Sequence, residues 1–124
     1  MKKILIVVKN DNTREFLMQA LTYNGFRVLA AKDGAGGLYK LGVCQPHLVI
    51  LEIGDWDTLD RFRNLTAAPI IALTPDDDES GVESLDRGAD FFVTQPPSFG
   101  ELAARVRALL RRYETGALLI GGEY

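Results

Sequence analysis

Short runs of apolar, β-branched residues alternate along the chain with segments whose apolar residues recur at helical spacing. The clearest run is residues 47–53, HLVILEI, with five apolar residues of seven, three of them β-branched, Pro46 before it and Gly54 after it. A run of that length between breakers predicts a strand buried on both faces in the middle of a parallel sheet. Residues 4–8, 26–31, 70–73 (behind Pro69) and 91–93 read as further strands of the same kind.

The intervening segments predict helices. Asp11, Asn12 or Thr13 caps the first, which carries Phe16, Leu17, Ala20 and Leu21 and stops at Gly25. Asp33 and Gly34 turn the chain into a short helix over 35–41 with Leu38 and Leu41 inward, closed by Gly42. A polar loop over 54–57 holds Trp56, and 58–64 make a short helix with Leu59, Phe62 and Arg63 on different faces. The acidic run 76–79 suits the positive end of a fourth helix, whose inward face is Val82 and Leu85 and whose end is Gly88. Gln95, Pro96 and Pro97 form a rigid turn. Ser98 and Glu101 then have the spacing of a capping box for a last helix with the stripe Leu102, Val106, Leu109 and Leu110. Strands and helices in strict alternation predict an α/β domain, a doubly wound five-stranded parallel sheet with helices on both faces.

Composition narrows the classes. A chain of 124 residues, 47% apolar, supports one domain with a core of its own. We expect this domain over 1–112, and over 113–124 a linker or the start of a truncated C-terminal output domain, with 117–120 readable as one more strand. No apolar run is long enough to span a membrane, and the run ending at Lys9 is too short for a secretory signal. The single cysteine, Cys44, fits a reducing compartment, so the expected location is cytoplasmic. A net charge of -3 gives no general attraction to nucleic acid. The late cluster Arg105, Arg107, Arg111 and Arg112 reads as a solvated helix end.

In open α/β sheets, chemistry gathers beyond the carboxyl ends of the strands. Those ends carry Val8, Lys9 and Asn10, then Glu52, Gly54 and Asp55, then Thr74, then Thr94 and Gln95. This inventory argues against an enzyme. A divalent ion needs grouped oxygen ligands, and here Glu52 stands beside the repelling Lys9. His47 lies at the opposite end of its strand and Cys44 has no evident partner, so no nucleophile meets a base. No P-loop or dinucleotide glycine pattern is present; Gly34, Gly36 and Gly37 follow the second strand and read as turn residues. No catalytic residue, metal or cofactor is expected.

MKKILIV, HLVILEI, PIIALT, GADFFVTQP and ELAARVRALLRR follow one another in the order of a known family. Over residues 2–112 the sequence resembles the receiver domain of two-component response regulators, most closely the OmpR-PhoB-like receivers that carry a winged-helix DNA-binding domain. The resemblance implies a flavodoxin-like strand order 2-1-3-4-5. It places Val8 and Lys9 where a standard receiver has two acidic magnesium ligands, and Glu52 where it has the phosphorylated aspartate. It keeps Thr74 as the sensing hydroxyl and puts Phe92 at the switching aromatic. Gln95 stands in place of the lysine that grips the phosphoryl group, followed by Pro96, whose peptide bond is typically cis. Gly54 completes this degenerate pocket. The resemblance also implies a homodimer through helix four, strand five and helix five. There Asp90, Glu101 and Arg105 are kept, while Gly81 and Phe91 replace charged members of a cross-dimer network.

The physics of these changes agrees with a loss of phosphotransfer. That reaction depends on a divalent ion and a fixed cation to neutralise developing charge. The extra carbon of Glu52 also displaces the acceptor, and a misplacement near 1 Å costs on the order of 100-fold. The expected function is therefore an atypical, phosphorylation-independent receiver that regulates a DNA-binding output domain through homodimerisation. Neither membrane contact nor specific nucleic-acid binding is expected of this stretch. The alternatives are a phosphotransfer-competent receiver with altered chemistry and a switchless protein-binding scaffold. For Glu52, three readings stand: an ion pair with Lys9, a built-in active state with Thr74 and Phe92 turned inward, and a site for an unrecognised ligand.

Overall fold

The computed structural model has the order β1 (Lys3–Val7), α1 (Asp11–Tyr23), β2 (Arg27–Ala31), α2 (Gly34–Cys44), β3 (Leu48–Glu52), α3 (Trp56–Leu65), β4 (Ile70–Thr74), α4 (Asp78–Asp86), β5 (Phe91–Thr94) and α5 (Phe99–Glu123). It describes residues 1–113, the side chain of Asp78 excepted; the expected linker or extra strand falls almost wholly on 114–124, outside the described residues. The five strands form one parallel sheet in the order β2-β1-β3-β4-β5.

β3 is the central strand. Ile50 lies opposite Ile6 of β1 on one side and Ile71 of β4 on the other. Strand alternation divides the sheet into two cores. Ile6, Ile50 and Leu73 pack with Leu17 of α1 and with Leu102 and Val106 of α5. Leu5, Val49 and Ala72 pack with Leu41 of α2 and with Leu59 and Phe62 of α3.

Local signals decide the helix ends, and several differ from the sequence reading. Asn10, rather than 11–13, caps α1 by accepting the Thr13 N–H at 2.9 Å. α2 runs through Gly42 to Cys44 and ends where Gln45 takes a left-handed φ of 47°. Gly34, Gly36 and Gly37 lie inside α2 rather than in a turn, and a Cβ on Gly37 would stand 2.7 Å from Val7. α3 starts earlier than expected because Asp55 caps it, so Trp56 is helical, and Leu59 and Phe62, three apart, share its buried face. α4 is turned relative to expectation. Gly81 and Ser84 face inward, while Val82 and Leu85 remain 56% and 41% exposed. The reason is Phe92, whose ring occupies the space beside Gly81. At α5 the Ser98 carbonyl accepts the Leu102 N–H at 2.9 Å, but the side-chain bonds of a capping box are absent among the described residues.

Candidate functional site

Glu52 ends β3, where its half-buried carboxylate meets the chain leaving β1. The β1–β3 ladder closes with Val7 opposite Leu51. Beyond that pair the Lys9 N–H has no strand partner, and Glu52 Oε1 accepts it at 2.7 Å. The expected ion pair with the Lys9 ammonium does not form; among the described residues Lys9 has none. Arg14 secures the same segment by donating to the Val8 carbonyl at 2.9 Å and the Lys9 carbonyl at 3.3 Å, and it pairs with Asp11 at 2.6 Å. Sequence reasoning did not single out Arg14.

A cleft of about 630 Å³ opens over these strand ends. Lys9, Glu52 and Gly54 line it, together with Lys32, Asp33 and Asp55. Asp33 caps α2 through the Gly36 N–H at 2.8 Å. Asp55 caps α3 through the Thr58 N–H at 2.8 Å and also accepts the Thr58 hydroxyl at 2.9 Å. Those two bonds, the backbone one foremost, hold the Asp55 carboxyl below the usual aspartate value. Lys32 and Asp33 were missed because the strand ends surveyed did not include the second. An aspartate three residues before Gly36, just after an apolar run, is nonetheless a capping signal.

The other predicted pocket residues lie elsewhere. Val8 is wholly buried in the core that α1 and α5 cover and does not line the cleft. Neither do Thr74, Phe92, Gln95 and Pro96. Thr74 is fully buried and its hydroxyl has no hydrogen-bond partner among the described residues, Glu52 included. Phe92 is half-buried against the α2–α3 core. The Gln95 N–H donates to the Thr74 carbonyl at 2.9 Å, and the Gln95–Pro96 bond is cis, in keeping with the resemblance.

The residues present do not fit a divalent ion. Val8 is committed to the core, Lys9 is cationic, and no group of three His, Cys, Asp or Glu side chains gathers among the described residues.

On the α4–β5–α5 face, Arg105 stacks on Phe91 with its guanidinium carbon 4.1 Å from the ring centroid. The Phe91 and Phe92 rings lie 6.1 Å apart at 21°. Glu101 is exposed and has no ion pair among the described residues. Asp90 is engaged within the chain, accepting from Arg63 at 3.1 Å, from the Ile70 N–H at 2.8 Å and from the Tyr113 hydroxyl at 3.1 Å. Among the described residues no helix is long and apolar enough to cross a membrane.

No family model matches the chain. It is 38% identical over 117 residues to the transcriptional regulatory protein HprR of Escherichia coli, covering 90% of this chain and 52% of that protein. It is equally 38% identical over 119 residues to the KDP operon transcriptional regulatory protein KdpE of the same organism, covering 91% and 53%. The chain thus spans about half the length of the curated relatives it matches. A two-component response regulator from Clostridium difficile superposes with a TM-score of 0.87 at 29% identity, covering 91% of this chain and 98% of that one. The receiver domain of the Francisella response regulator 1452 superposes with a TM-score of 0.83 at 26% identity, covering 91% and 99%.

Proposed function

Starting from a chain that belongs to the response-regulator receiver family, we propose a receiver that works without accepting a phosphoryl group and regulates a DNA-binding output domain through homodimerisation. Receiver domains are not catalytic enzymes in the usual sense, so the question is what sets the signalling state.

One observation carries the reading. The carboxylate at the acceptor position is tied through Oε1 to the Lys9 N–H, beside residues unable to hold a metal. In-line phosphoryl transfer relies on a divalent ion to neutralise developing charge, and the side chains around Glu52 do not gather a set of ligands for one among the described residues. The placement of Phe92 under α4 supports a single fixed geometry for the α4–β5 surface.

That surface also supports the dimer. Val82 and Leu85 expose apolar area on α4, and the Arg105–Phe91 stack adds an aromatic with an arginine at its edge. Apolar centres flanked by arginine and aromatic residues suit an interface. The relatives named as transcriptional regulators are about twice as long as this chain, which supports an attached output domain as the target.

The test is the solution mass of the chain over a concentration series, with and without magnesium and acetyl phosphate. A dimer indifferent to both is the expected result. A monomer that dimerises only with both overturns the reading and returns Glu52 or a neighbour as an acceptor. A monomer throughout favours a partner-binding scaffold instead.

A further inference from the structure

We propose that the cleft over β1 and β3 binds a small zwitterion with an apolar body, a molecule of the amino-acid type. This goes beyond the receiver reading and does not depend on the dimer.

The cleft has the size of a ligand site. Its volume of about 630 Å³ falls inside the range of about 300–1,000 Å³ common to small-molecule pockets. It opens at the carboxyl ends of β1 and β3, between which the sheet's connections change direction, where open α/β folds place ligands.

Its charges come in both signs. Lys9 and Lys32 stand exposed on the rim, and neither ammonium has an ion pair or hydrogen bond among the described residues. Glu52, Asp33 and Asp55 face the same space. With two ammoniums against three carboxylates the formal balance is -1, so a simple anion enters against the net charge and a simple cation leaves both lysines unmatched. A zwitterion satisfies both.

Each carboxylate gives one oxygen to a backbone N–H and keeps the other without a partner among the described residues. Asp33 and Asp55, however, are exposed helix caps, whereas Glu52 is half-buried between the ends of β1 and β3 beside Lys9. Glu52 Oε2 therefore takes the ligand's ammonium, and Lys9 and Lys32 take its acid group. Val7, Leu51 and Ile53 supply apolar wall for the body.

The test is an amide chemical-shift titration of the ¹⁵N-labelled chain with three probes that share one body: L-phenylalanine, 3-phenylpropionate and 2-phenylethylamine. Phenylalanine is expected to shift the Lys9, Gly34 and Gly54 amides saturably. Each singly charged analogue is expected to bind at least about tenfold more weakly, the worth of one charge-assisted hydrogen bond. Glu52→Gln, which keeps an acceptor for the Lys9 N–H, should weaken phenylalanine while 3-phenylpropionate binds no more weakly than before. Lys32→Ala should weaken phenylalanine while 2-phenylethylamine binds no more weakly than before. Saturable binding of 3-phenylpropionate as tight as phenylalanine overturns the proposal, as does indifference of Glu52→Gln, or no saturable shift from any probe. The solution mass of the same samples reads the dimer separately.

Discussion

Phe92 fills the space that Gly81 leaves open: a Cβ on Gly81 would stand 2.5 Å from Cε2 and 2.6 Å from Cζ of the ring. A strand residue thereby dictates the rotation of the helix above it, and the apolar side chains of α4 are turned out to solvent.

Gly81→Ala sets two effects against each other. Helix propensity favours alanine by about 1 kcal/mol, while the clash with a packed ring costs about 1–3 kcal/mol. The expected outcome is net destabilisation in urea unfolding, reversed to net stabilisation when Phe92→Leu frees the space. Stabilisation by Gly81→Ala alone would show that the ring moves out without cost.

Arg63 binds four acceptors at the amino-terminal end of the β4–β5 edge. It donates to the Gly88 carbonyl at 2.9 Å, Asp90 at 3.1 Å, the Thr66 carbonyl at 2.6 Å and the Ala68 carbonyl at 2.7 Å. Removing a part-buried guanidinium strands these groups, so Arg63→Ala should cost about 2–4 kcal/mol. Arg63→Lys should recover less than half, because an ammonium cannot span the fork. Equilibrium denaturation checks both.

His47 gives the fold a pH dependence. Its imidazole is held below the ordinary value of 6.5 by partial burial first and then by the charges of Lys2 and Lys3, and its Nδ1 accepts the Lys3 N–H at 2.9 Å. A histidine with a lowered folded value binds its proton more readily when unfolded. Its stabilising contribution is therefore full above 6.5 and is lost as pH falls from there through the folded value. The melting temperature should drop as pH falls below about 7, and His47→Gln should flatten the first part of that slope. An unchanged slope would assign the drop to other groups.

Val82 and Leu85 test the proposed dimer. Both are substantially exposed, so Val82→Asp and Leu85→Asp should leave the folding stability within about 0.5 kcal/mol of the parent. In a dimer through this face, the paired change should raise the dissociation constant on the order of tenfold or more. Sedimentation equilibrium reads the difference, and an unaltered mass distribution excludes α4 from the interface.

The strands were legible because each is a compact apolar run between breakers, and in a sheet covered on both faces that pattern has few other meanings. Glu52, Lys9 and Gly54 were legible as neighbours for a related reason: they end or follow adjacent strands, and adjacency comes from topology. Val8 shows where that reasoning stops. Position past a strand does not say which face a side chain takes, and Val8 went into the core. Asp90 likewise looked available to a second subunit, whereas Arg63 and Tyr113 already engage it within the chain.

By itself the amino-acid sequence determined the alternation of elements, the residues that stand at the strand ends and the caps that start most of the helices, because these depend on residues close in the chain. Only the tertiary structure decided which face of α4 is buried, that Glu52 meets a backbone N–H instead of an ammonium, and that Lys32 and Asp33 complete the cleft. Each of those depends on the distance between side chains from separate elements, and that distance exists only once the sheet has ordered β2, β1 and β3 side by side.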